Sequence, residues 1–128
     1  MKVRCRKLIS ATTNAIQSAS PWLTVGKEYD VLAISIRLRK EILFQIIGDD
    51  VSQIPVLFDS KQFEITCDQM PDNWVVSLDA ESNVIELAPS RWLRPGFWED
   101  FFNGVEGAME DFKSEAKKID PGLYRCDP

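Results

Sequence analysis

Three adjacent acidic pairs, Asp49-Asp50, Glu99-Asp100 and Glu110-Asp111, are the residues of this chain best placed for acid and base chemistry, since two carboxylates can divide a proton transfer between them. Adjacent positions on a helix point about 100° apart, however, so neighbouring acids there describe a solvated face rather than a catalytic pair. There is no histidine among the 128 residues. That excludes a Ser-His-Asp or Cys-His arrangement and any metal site that uses imidazole. No Gly-x-Gly-x-x-Gly or Walker-type glycine-lysine loop occurs to cradle phosphates. Cys5, Cys67 and Cys126 are far apart and odd in number, which describes neither a disulfide framework nor a zinc site. Reduced thiols in a cytoplasmic protein are expected, with Cys5 and Cys67 as small core residues and Cys126 on a loose tail. Arg91-Trp92-Leu93-Arg94 interleaves bases with an aromatic ring, as a single-stranded nucleic-acid platform does, but acids follow at once. Trp92, Phe97 and Trp98 are better suited to docking a helix on a sheet. These residues predict no enzyme, no cofactor and no metal, and a function that resides in binding.

Charge is the next discriminator. The net charge is −5, with eight Lys/Arg against two acids in residues 1–40, a balance of +6, and seven against eighteen, −11, in the remainder. An acidic field repels nucleic-acid phosphates and attracts a basic partner, although acids also serve simply for solubility. The start, Met1 to Lys7, is basic, but only Leu8 and Ile9 follow before polar residues, so a signal-peptide apolar region is missing. No run of about 18 apolar residues suits a membrane span.

The elements that must position these groups follow from periodicity. Val3 and Cys5 alternate with Arg4 and Arg6, as in a short edge strand, and residues 10–21 read as a loop. Residues 23–36 form the clearest β signal, apolar on both faces and therefore buried or strongly curled, with a turn at Gly26. Residues 41–47 and 54–58 predict further strands, joined to the rest by a charged hairpin at residues 37–40 and a stop at Gly48-Asp49-Asp50. Residues 59–63 suit one helical turn and residues 64–67 another strand. A second hairpin spans residues 73–79 and 83–88. From Pro95 the apolar period becomes three and four, predicting amphipathic helix over residues 95–119, either continuous or broken near Asn103-Gly104. The expected fold is α+β: a single domain with a small curled antiparallel sheet or barrel over about residues 1–67, a β-hairpin over about 73–88 and a C-terminal helical part over about 95–119.

The segment Leu23-Thr24-Val25-Gly26-Lys27-Glu28-Tyr29-Asp30-Val31-Leu32, the Gly48-Asp49-Asp50 stop and Pro55-Val56-Leu57-Phe58-Asp59-Ser60-Lys61-Gln62-Phe63-Glu64 resemble an SH3-like barrel. The resemblance implies that Phe63 enters the barrel core. Asn73-Trp74-Val75-Val76 and the stretch from Trp92 to Phe102 are similar to small bacterial immunity proteins of polymorphic or contact-dependent toxin systems. That likeness implies an antitoxin-like, non-catalytic protein. In it Glu99, Asp100, Glu106, Glu110, Asp111 and Glu115 would meet a basic toxin domain through complementary charge. The alternative is an SH3-like module that captures a peptide or joins an assembly through grooves around Tyr29, Phe44 and Phe58. An enzyme using carboxylates or the Cys67 thiol is the third reading. Nucleic acid and membrane are not expected as partners.

Overall fold

The computed structural model describes residues 1–10 and 12–119. In chain order these form β1 (Lys2–Cys5), β2 (Leu8–Ile9), β3 (Ile16–Gln17), β4 (Glu28–Asp30), β5 (Ala33–Arg37), β6 (Glu41–Ile47), β7 (Pro55–Asp59), β8 (Phe63–Cys67), β9 (Trp74–Asp79), β10 (Val84–Pro89), α1 (Phe97–Phe102) and α2 (Glu106–Ile119). Short 3-10 turns cover Ser60–Gln62 and Ser90–Trp92. The α+β class and the C-terminal helical segment agree with the sequence, and the helix breaks at residues 103–105, where Gly104 takes a left-handed φ of 77°.

The strands are divided among a three-stranded sheet of order β4-β1-β8, a five-stranded sheet of order β7-β6-β5-β10-β9, and the small β2-β3 pair, and every pairing described is antiparallel. The described strands do not join into a single closed barrel. Three local expectations are corrected. β1 is central in its sheet rather than an edge, because Val3 and Cys5 turn inward and both flanks are paired. Residues 10–21 contain β3, which pairs with β2. The stretch 23–36 is two strands in two sheets. Val31 donates its amide to the Met1 carbonyl at 3.0 Å, and the next amide, Leu32, donates to the Gln45 carbonyl at 2.9 Å. The chain leaves one sheet and enters the other between those residues, and the apolar residues on both faces are the trace of that crossing.

Two cores result. One lies between the sheets and gathers Val3, Cys5, Tyr29, Val31, Ile34, Phe44 and Ile46. The other lies between the far face of the five-stranded sheet and the helices, with Leu32, Ala33, Ala88, Trp92, Phe97, Phe112 and Ile119. Trp92 stacks on Phe112 at 4.9 Å between ring centroids, and Trp98 meets Trp92 edge-on at 5.8 Å. Burial of such rings stabilises the docked helices by several kcal/mol, of order 2–3 for each large side chain.

The outer face of the three-stranded sheet carries an ion-pair ladder: Lys2 with Glu28 and Asp30, Arg4 with Glu28 and Glu64, and Arg6 with Glu64 at 2.6 Å. Lys27 pairs with Asp49 and Arg37 with Glu41. Among the basic residues of positions 1–40, Lys7, Arg39 and Lys40 make no ion pair with the described residues. The N-terminal bases are thus compensated locally, because antiparallel pairing sets them beside acids from β4 and β8. No helix among the described residues is long and apolar enough to cross a membrane.

Candidate ligand groove on the five-stranded sheet

The helices cover only one end of the far face of the five-stranded sheet. Beyond them the face is open, and its side chains are short where the strands run centrally. Ala33 and Ser35 on β5 and Ala88 on β10 leave the floor low, while Leu57 on edge strand β7 and Trp98 and Phe102 on α1 rise around it. The hollow has a volume of about 560 Å³. That size, with apolar walls and a few polar groups, is the usual form of a ligand site.

The polar groups are unusual for their lack of partners. Gln45 sits on β6, flanked across the strands by Ala33 and Leu57, and is 7% exposed. Its Oε1 is buried without a hydrogen-bond partner. An unsatisfied buried amide costs about 1–3 kcal/mol, so its retention in a packed strand needs a reason outside packing. Glu86 lies two strands away on β10, directly beside Ser35. Its carboxylate is half-buried and has no ion pair or hydrogen bond among the described residues. Arg37 also lines the groove, but Glu41 holds its guanidinium at 3.0 Å. The open carboxylate therefore leaves the groove acidic.

The acids singled out in the sequence differ in exposure and pairing. Glu99, Glu106 and Glu110 are exposed and make no ion pair among the described residues. Asp100 is held by Arg94 at 2.9 Å, and Asp111 by Arg91 at 3.2 Å. Glu115 is not a surface acid. It is 6% exposed, accepts from Asn73 Nδ2 at 2.9 Å, and is approached by Arg91 at 3.7 Å and Lys118 at 3.4 Å. Lys113 and Lys117, also exposed, share α2 with Glu106 and Glu110. The same pairing removes the Arg91-to-Arg94 stretch as a stacking platform, since Trp92 is buried and both arginines are engaged.

Two further expectations are corrected. Tyr29 and Phe44 are buried and Phe58 is half-buried against the same core, so the three rings pack the interior, and the hollows that Tyr29 and Phe58 line are separate ones rather than a groove shared by all three. Phe63 reaches that core as expected, meeting Phe44 at 5.9 Å and Tyr29 at 6.5 Å. Cys67 is buried and disulfide-bonded rather than a reduced thiol. Cys5 is free, and burial pushes its thiol pKa up, which makes it unreactive. The position expected for Cys126 lies outside the described residues.

Of the paired carboxylates, Asp49 is a structural hub. It accepts from Lys27 Nζ at 2.6 Å, Thr24 Oγ1 at 2.6 Å and the Tyr29 hydroxyl at 2.9 Å. Burial is the largest single influence on it and raises its pKa, but these hydrogen bonds together outweigh burial and hold the carboxyl below its ordinary value. Asp50 is engaged by Ser52. Among the described residues no three His, Cys, Asp or Glu side chains cluster as metal ligands.

Sequence reasoning missed Gln45 and Glu86. The signal was present, since Gln45 interrupts Ile42-Leu43-Phe44-Gln45-Ile46-Ile47 and Glu86 interrupts Val84-Ile85-Glu86-Leu87-Ala88. Each is the one polar residue in an apolar run that belongs to an inner strand. No protein-family model, curated protein or solved structure matches the chain.

Proposed function

We propose that the chain is a non-catalytic binding domain that holds a segment of a partner protein in the groove of the five-stranded sheet. The observation that carries this reading is the Gln45 amide, buried and unpartnered on the floor of a hollow walled by Leu57, Trp98 and Phe102. A group that costs stability where it stands is accounted for when a ligand completes its hydrogen bonding. The reading keeps the expectation of a peptide-binding module but moves its site from Tyr29, Phe44 and Phe58 to the opposite face of the sheet. It does not depend on the strands closing as an SH3-like barrel.

The antitoxin-like reading is the second one, and the exposed, unpaired Glu99, Glu106 and Glu110 favour it. In that case these three acids, without Asp100, Asp111 and Glu115, meet the basic face of a toxin domain. A cytoplasmic setting belongs to that reading, whereas the disulfide at Cys67 favours an oxidising compartment.

Recovery of a bound protein from native cells separates the two. The comparison uses the wild type, a groove-filled Ser35→Tyr variant and a Glu106→Lys/Glu110→Lys variant, each first checked for an unchanged melting transition. Loss of the same protein from Ser35→Tyr alone supports the groove, and loss from the charge-reversed variant alone supports the acidic helix. Retention by both variants refutes both surfaces.

A further inference from the structure

The geometry points to a basic segment as the occupant of the groove: an extended peptide that places an arginine or lysine side chain against Glu86 while an N–H donor meets Gln45. This rests on the groove reading above and adds the chemistry of what is bound. The polar groups of the groove are chiefly acceptors, the Gln45 Nε2 amide being a donor among them. Gln45 presents an unpartnered Oε1, Glu86 an unpaired carboxylate, and Ser35, beside Glu86, a hydroxyl that can also accept. The cation that lines the groove, Arg37, is paired with Glu41 through Nη1, so that pair is neutral and Glu86 is left as the uncompensated charge. A ligand rich in acceptors would leave these groups unsatisfied. A ligand rich in donors with a positive end satisfies them.

The separation suits a peptide rather than a compact ion. Glu86 and Gln45 are on strands two positions apart, about 10 Å across the sheet, which exceeds the span of one ammonium or guanidinium group. A basic side chain and the backbone of the same segment cover that distance together. The stem of an arginine or lysine is apolar and buries well against rings while its charged end reaches a carboxylate. Phe102, exposed, and Trp98, half-buried, provide those rings on α1. A half-buried carboxylate gives such a pair more than a fully solvated one would.

The test uses a blocked Leu-Arg-Leu tripeptide, the same tripeptide with citrulline in place of arginine, and free guanidinium chloride at low concentration, each titrated while the indole N–H resonances of Trp92 and Trp98 are followed. Citrulline keeps the shape and removes the charge. The arginine peptide is expected to bind saturably and the citrulline peptide to bind more weakly by roughly tenfold or more, the loss of one charge-assisted contact. Glu86→Gln should abolish that preference, whereas Glu110→Gln should preserve it. Saturable shifts with no preference between the two peptides overturn the basic-segment inference but leave the groove as a site. Guanidinium binding as tightly as the arginine peptide overturns the peptide as occupant. If neither peptide moves the Trp98 resonance, the groove reading fails and this inference fails with it.

Discussion

Asn73 fastens the β8–β9 connection to α2 by giving one amide group to two acceptors of Glu115, the carboxylate at 2.9 Å and the backbone carbonyl at 3.2 Å. The carboxylate is buried, so Asn73 and the flanking Arg91 and Lys118 replace the water it loses. Glu115→Ala should therefore lower unfolding free energy by about 1–3 kcal/mol, while Glu106→Ala and Glu110→Ala should stay within about 0.5 kcal/mol of wild type. Urea melts of the three variants check this, and equal effects would place Glu115 among the surface acids after all.

Gln45→Leu should leave the protein as stable as wild type or raise its stability by about 1 kcal/mol, because an apolar side chain of similar size removes an unsatisfied amide. The same variant should lose binding to the arginine peptide. A stability loss above about 1 kcal/mol would mean that the amide serves the fold instead.

Asp49 has a folded-state pKa below that of the unfolded chain. Its ionised form thus contributes stability at neutral pH, and the contribution fades as pH falls below about 4 and through the folded value. Asp49→Asn should be less stable than wild type at pH 7, and the gap between them should narrow by pH 3. Thermal melts at the two pH values measure the gap; one that widened on acidification would contradict the assigned direction.

Gly48 lies directly under the backbone of Trp22, and a Cβ there would stand 2.5 Å from the Trp22 carbonyl oxygen. That oxygen accepts the Asp49 amide at 2.8 Å, so the clash would also displace Asp49 from Lys27, Thr24 and Tyr29. Gly48→Ala should cost about 1–3 kcal/mol. Chemical denaturation checks the loss, and a melt matching wild type would show that the loop yields freely.

Local pattern was a good guide where one element meets one environment. The run at residues 41–47 is β6, and both hairpins and the Ser60–Gln62 turn fall close to their expected places. It failed where a residue answers to two environments. The alternation at Tyr29 and Val31 continues to Ala33 in the sequence, but Val31 serves one core while Leu32 and Ala33 serve the other. Glu115 has the charge of a surface residue, yet it falls on the buried stripe of α2 with Ala108, Phe112 and Ile119. The groove depends on which strands neighbour one another, and β10 joins β5 across 53 positions between Leu87 and Ile34, sequence partners by tertiary register alone. The basic start, by contrast, does not stand as a free basic patch, because pairing across β1, β4 and β8 sets its charges beside acids.

The passage from β4 to β5 also governs where this molecule can be cut. Two successive peptide groups, at Val31 and Leu32, are bonded into different layers, and β5 is then flanked by β6 on one side and β10 on the other. A fragment ending after Cys67 would carry β5 with one ladder open, and Leu32 and Ala33 stripped of the helices that shield them. Severing the hairpin and helices would thus leave a sticky remnant rather than a miniature of the whole.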